Sequence, residues 1–328
     1  MLPPGYVARP LDLAEIDGFV DGADVDLAYS VVAAADIGII ESPDSTRETV
    51  RSDLSNPDAL LAEHRLILTD AGEPVGLLIV EQDDDARTFF SDVYAVPSHG
   101  IALLAPLIAM GIGVAGRLKG EGEWQIECGA FIQDEVYLDA LHSAGYREVR
   151  RFWHMRIDLS PEHLTTPRPP GGAAYTNAVT DAELRLLHSI DQEAFAAHFG
   201  FVSKSYEDWM PWLRDRRDAR PDLWWIAWLD DEPVGLCMQD DSRMERDAGH
   251  VRILGVVPHA RGRGIATWLL HSAFAEAAGE GRTAMTLTVD SENSTGATAL
   301  YESAGMKPER VILLLRRLVA GYFRDRGQ

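Results

Sequence analysis

Cysteine is nearly absent from this chain, with only Cys128 and Cys237 in 328 residues. Both fall in apolar, strand-like segments, "WQIECGAF" and "EPVGLCMQ". They are read as buried, reduced thiols in preference to a disulfide or a metal site. Basic residues are scarce as well: 30 Lys plus Arg stand against 52 Asp plus Glu, for a formal charge of −22. Neutralising phosphates requires a basic face, so nucleic acid is not expected as a partner, and cationic or amine-bearing molecules fit better. Most of the acidity lies early, with −17 up to residue 172 and −5 after it. No apolar run reaches the roughly 20 residues that span a bilayer. The nearest, "GIALLAPLIAMGIGVAG", is interrupted by Pro106 and closed by Arg117, and reads as a buried helix. The N-terminal stretch shows no basic region followed by an apolar core, so no secretory signal is read and a cytoplasmic protein without a membrane partner is expected.

What is present is a pattern written twice. The length suits two domains, each with its own core, and "LSPEHLTTPRPPGG" (159–172) has linker chemistry, four prolines and a closing glycine pair. The expected division is 1–160, a linker at 161–172, and 173–328. In the second part, "DAELRLLHSIDQEAFAAHF" and "SYEDWMPWLRDRRD" read as amphipathic helices, the first capped by Thr180 or Asp181. Strands "LWWIAWL", "EPVGLCMQ" and "GHVRILGVV" follow, then a helix near 262–279, a strand "AMTLTV", a helix near 293–304 and a last strand "RVILLLRRL". The first part repeats this order. Its nearest literal echo is "YLDALHSAGY" against "ATALYESAGM".

The chemistry concentrates in "VVPHARGRGIA" (256–266). Pro258 ends a strand ladder because it has no N–H. Gly262 and Gly264 let the backbone approach a ligand, and the next helix offers unpaired amides at the positive end of its dipole. Arg261 and Arg263 add charge-assisted donors, which makes a phosphate or diphosphate the natural occupant. Neither a Gly-Lys-Ser/Thr sequence nor Gly-x-Gly-x-x-Gly spacing is present, so P-loop and dinucleotide-binding readings fail.

Here the sequence resembles the GNAT acetyltransferase superfamily, whose loop reads Gln/Arg-x-x-Gly-x-Gly/Ala after a strand ending Val-x-Pro. Arg261, Gly264 and Ala266 match it, and "DSENSTGATALYESAGM" supplies the family's Asn and Tyr as Asn293 and Tyr301. The resemblance spans about 173–318 and extends to the first part only as architecture, where "VPSHGIALL" lacks both arginines and one glycine. It implies an α+β fold of two tandem GNAT-like domains, each a mixed, mostly antiparallel twisted sheet flanked by helices, with a degenerate first copy. Acetyl-CoA is the implied co-substrate. Its diphosphate would rest on the amides of Arg261, Gly262, Arg263, Gly264, Ile265, Ala266 and Thr267. Its pantetheine arm would run along Leu254, Gly255 and Val256, with Asn293 bonding the arm.

The implied reaction is direct acetyl transfer to a small amine in a ternary complex. An amine of pKa about 10 is mostly protonated at neutral pH, so a base is needed. Relatives place a glutamate eleven residues before the loop's first residue; here that position is His250, which titrates ordinarily near 6.5. Tyr301 is the implied donor to the departing sulfur. The competing readings are a hydrogen-bonded structural His250, a non-catalytic acyl-CoA-binding module, and use of a longer acyl chain. Trp209, Trp212, Trp224, Trp225 and Trp228 are divided between core packing and an acceptor wall, and Asp240, Asp241 and Asp247 between a cation-attracting rim and solvated turns.

Overall fold

The computed structural model describes residues 1–319 except 17–18, 57, 215–217, 244–245 and 294–295; the side chains of 15, 16, 19 and 212 also lie outside the described residues. In the first part of the chain these elements follow one another: β1 (Tyr6–Arg9), a short hairpin of β2 (Ala14–Ile16) and β3 (Phe19–Asp21), α1 (Ala23–Ile40), α2 (Arg47–Leu54), β4 (Arg65–Thr69), β5 (Pro74–Asp83), β6 (Thr88–Ala95), α3 (Gly100–Leu118), β7 (Gln125–Phe131), α4 (Glu135–Ser143) and β8 (Arg147–Asp158). The second part continues with β9 (Ala173–Asn177), α5 (Asp181–Phe195), α6 (Tyr206–Arg214), β10 (Ala219–Leu229), β11 (Glu232–Asp240), β12 (Ala248–Val256), α7 (Ile265–Gly279), β13 (Ala284–Asp290), α8 (Ala297–Ser303) and β14 (Lys307–Leu318).

Two compact units result, and they are not the contiguous halves expected from composition. Unit 1 is Met1–Arg151 plus the chain from Ile312; unit 2 is Phe152–Val311. The chain changes unit inside two strands. Ile312–Leu318 of β14 lies antiparallel on β7, whereas Phe152–Asp158 of β8 lies antiparallel on β13. Strand register is set by which apolar face meets which partner, and nearness in sequence has no say in it. The Pro/Gly stretch 159–172 therefore falls within unit 2. There Leu159 donates its N–H to the Thr283 carbonyl (2.8 Å) and the His163 ring stands edge-on to Phe274, centroids 6.1 Å apart.

Each unit has an antiparallel sheet with one parallel pair. In unit 1 the order is β1-β4-β5-β6-β7-β14 with β6 and β7 parallel; in unit 2 it is β8-β13-β12-β11-β10-β9 with β12 and β13 parallel. A parallel pair needs a crossover, and α3 and α7 supply them. The apolar stretch expected to be a buried helix is α3, with Leu103, Leu107, Ile108 and Ala115 buried; it is also long and apolar enough to cross a membrane by length and composition alone. Both cysteines are free and buried, and burial pushes the Cys237 thiol up to about 12. Trp209, Trp224 and Trp225 are buried in the core of unit 2, so packing is their role; Trp228 donates from its indole to Thr176 Oγ1 (2.9 Å).

Candidate active site

The site is built on β12. Its register with β11 slips by one residue: Gln239 faces Val251 but Met238 faces Ile253, which leaves Arg252 as the extra residue of a bulge. A bulge bends the strand and re-aims the side chains beyond it. Pairing with β13 ends at Val251–Leu287, while β13 runs on to Asp290 against β8. From Ile253 to Val256, β12 thus has no strand partner on its β13 side among the described residues. Apart from the Val256 carbonyl, which accepts from Arg261 Nε, its backbone edge there has room for an extended ligand.

Helix α5 fixes the far end of this strand. Its start is a capping box in which Thr180 Oγ1 accepts from Glu183 N–H (3.3 Å) and the Glu183 carboxylate accepts from Thr180 N–H (2.8 Å), which settles the cap on Thr180. Its end lies on Gly255, where a methyl group would come within 2.9 Å of Leu236 Cδ2 and Phe195 Cε2. Gly255 serves this close approach of helix to strand.

After one 3-10 turn at Pro258–Ala260 the loop turns twice through left-handed backbone, at Gly262 (φ 74°) and Gly264 (φ 78°). Only glycine adopts these conformations without strain. Gly264 is also the N-cap of α7 and offers no side-chain acceptor. The first intrahelical bond is Trp268 N–H to Gly264 C=O (3.0 Å), so the amides of Ile265, Ala266 and Thr267 have no partner within the helix. A methyl on Gly262 would meet nothing within 4 Å among the described residues, so the cradle is open. These features fit a diphosphate. Of the two arginines, Arg261 is engaged within the protein. Arg261 spends its guanidinium on carbonyls, Nε to Val256 O (3.0 Å) and Nη2 to Ala194 O (2.9 Å), and so stitches the strand end to the last turn of α5. Arg263 is exposed. The loop therefore presents an anion chiefly with amides as donors.

His250 stands on β12 before the bulge, opposite Asp240 on β11 and Thr286 on β13. Its Nδ1 lies 3.0 Å from Thr286 Oγ1, and the Thr286 hydroxyl donates to Gly249 O (3.1 Å). Since that hydroxyl's single proton is committed, Nδ1 carries the hydrogen and donates it, which leaves the lone pair on Nε2. Burial drives the His250 pKa down to about 4, with smaller contributions of opposite sign from Asp240 and Arg252. The ordinary value near 6.5 expected from sequence does not hold in this desolvated position. His154, on the strand segment that pairs with β13, is lowered to about 4 by burial too.

Tyr301 lies on α8, 8% exposed, and burial followed by the neighbouring Cys237 raises its hydroxyl well above the usual phenol value. Asn293 sits in the turn between β13 and α8, its N–H on Asp290 O (3.1 Å), because α8 begins only at Ala297. The acidic rim is mostly paired. Asp240 bonds Arg252 and Ser242, and Asp241 bonds Arg282 (3.0 Å), leaving Asp247 as a turn residue with φ 53°. Thr286 and His154 escaped the sequence reading. Their relevance follows from register with β12 and β13, which no local pattern reveals.

Among the described residues of unit 2, the parallel pair parts beside a glycine-rich helix start with no side-chain cap, and the fold is of the GNAT class. Residues 185–306, all within unit 2, match the family described as Acetyltransferase (GNAT) family. Over 275 residues the chain is 28% identical to a mycothiol acetyltransferase of Beutenbergia cavernae, spanning 77% of this chain and 88% of that one. Among solved structures it is similar to a GCN5-related N-acetyltransferase from Sphaerobacter thermophilus (TM-score 0.81, 26% identity, 98% of each chain). It also shares its fold with a tandem GNAT protein from the clavulanic acid biosynthesis pathway (TM-score 0.73, 16% identity, 96% of this chain and 99% of that one).

Proposed function

We propose that unit 2 transfers an acetyl group from acetyl-CoA directly to the amine of a small molecule, with both substrates held at once. The observation that carries this reading is the conjunction of a β12 edge at 253–256 with no strand paired to it on the β13 side and the open amides of Gly262 to Thr267. In this reading those amides hold the diphosphate, Leu254 to Val256 hold the pantetheine arm, and Asn293 bonds it. The acidic chain suits a cationic or aminoacyl-type acceptor. The relative's name makes a mycothiol-type small molecule the first to try. Free thiol should appear from acetyl-CoA with at least one amine of a panel. Gly264→Val, which forces a β-branched residue to φ 78°, should raise KM for acetyl-CoA about tenfold while kcat changes little. No thiol release with any amine, together with unaltered coenzyme affinity in Gly264→Val, would remove the basis for this reading.

His250 is the proposed proton acceptor, acting through Nε2. With a pKa of about 4 it is neutral throughout the usual assay range. Against a free ammonium of pKa about 10, proton transfer would be uphill by roughly 8 kcal/mol. His250 therefore takes the proton only as the C–N bond forms and the nitrogen turns acidic, so the acceptor must arrive neutral. Accordingly, log kcat/KM should climb with slope one toward the acceptor's own pKa and show no enzyme break between about pH 5 and 8. Thr286→Val frees the Nδ1 proton and lets the imidazole take its other tautomer. It should lower kcat about three- to tenfold, with Thr286→Ser restoring it; a break near pH 6.5 in the parent protein would contradict this account.

A further inference from the structure

The corresponding region of unit 1 is of a different character. There the parallel pair β6·β7 is held only from Thr88–Gln125 to Phe90–Glu127, and beyond it lies a cavity of about 600 Å³. Its floor is apolar and buried, with Val93, Leu104 and Ala130, and its mouth carries Ile101, which is 89% exposed. No Lys, Arg or His lines it, while Asp36, Asp44, Asp92, Asp134 and Glu135 do. Nor is there a diphosphate cradle, because no residue between Arg87 and Gly122 has positive φ, and Gly100 continues the helix (φ −54°, ψ −49°). Anionic ligands are thus disfavoured twice over, by charge and by missing amides.

The carboxylates are not equivalent. Asp36 accepts from the Asp44 amide (2.8 Å), and Asp134 caps α4 by accepting from Tyr137 N–H (3.0 Å). Asp92 has one donor, the Gly129 amide, and no basic group opposite it; burial pushes its carboxyl up to about 6. Tyr94, two residues on along β6 and so on the same face, lines the cavity beside it. Tyr137, 5% exposed, lines it as well, and its buried hydroxyl has no nitrogen or oxygen partner. A carboxylate that faces no basic group, two phenol rings and an apolar floor are the recognition set of an organic cation.

We propose that this cavity binds a small organic ammonium compound, with Asp92 as its counter-ion, and is not a second coenzyme A site. The probe is cyclohexylamine, with cyclohexanol as its uncharged isostere, titrated calorimetrically into the full chain at pH 7.5. Cyclohexylamine should bind at least tenfold tighter than cyclohexanol. Asp92→Asn should abolish that preference, with circular dichroism confirming that the variant is folded. Ile101→Arg, at an exposed rim position that tolerates substitution, should weaken the amine severalfold and decides the matter should Asp92→Asn not fold. Equal affinity for the two probes overturns the proposal, as does amine binding untouched by either substitution, which would place the amine elsewhere on the chain.

Discussion

Tyr301→Phe should lower kcat about 10²-fold while leaving KM for acetyl-CoA within about twofold and the folding stability within about 1 kcal/mol. Only the hydroxyl is removed. The ring is 8% exposed and belongs to the unit 2 core, so its packing survives. The loss falls on negative charge developing at the leaving sulfur, and removing one well-placed donor to such charge costs about 10²–10³ in kcat. The direction of the Tyr301 pKa refines the role. An ordinary phenol near 10 is already a weaker acid than a thiol near 8.5, so full proton transfer to the thiolate is uphill by at least about 2 kcal/mol. Burial raises this phenol further. Under the proposed function, Tyr301 would therefore serve as a neutral hydrogen-bond donor to the thiolate, with solvent taking over reprotonation. Steady-state kinetics with thermal melts checks this; a variant with parental kcat would reduce Tyr301 to a packing residue.

Glu81→Gln should stabilise the protein at alkaline pH. Glu81, on β5, is raised to about 8 by burial first, then by the nearby Asp92 and Asp53 carboxylates. Its folded value exceeds its unfolded value of 4.5, so the native state holds the proton longer. Its contribution is complete below the unfolded pKa and is lost as pH rises through about 8. The upper bound is on the order of 5 kcal/mol between pH 4.5 and 9. Glutamine mimics the protonated acid and removes that slope. Urea unfolding at pH 7 and pH 9, above the range where Asp92 titrates, should give nearly matching stabilities for the variant and a decline for the parent. Three histidines act at the other end: buried His64 and half-buried His154 and His250 are each lowered to about 4 by desolvation, so their contribution is lost as pH falls from 6.5 through 4. Equal alkaline decline in both proteins would show that Glu81 ionises freely.

The loop at 256–266 was legible because its signals are local. Glycines at left-handed positions, a proline that ends a ladder and a helix lacking a side-chain cap are all read within a few residues. The same holds for the Thr180–Glu183 capping box and the buried helix α3. The arginines were legible as positive charge but not in direction: Arg261 turned to the orphan carbonyl of Ala194, 67 positions away.

By itself, then, the sequence determined the order of helices and strands and the glycine-rich turn before α7, which has no counterpart before α3, because backbone preference and apolar periodicity act over a few residues. Only the tertiary structure decided that the chain changes unit within β8 and within β14, that Arg252 is a bulge, that His250 Nδ1 meets the Thr286 hydroxyl, and that burial lowers the His250 pKa. Pairing across 150 residues and the withdrawal of water from an imidazole depend on everything packed around them, and no short stretch of chain encodes that.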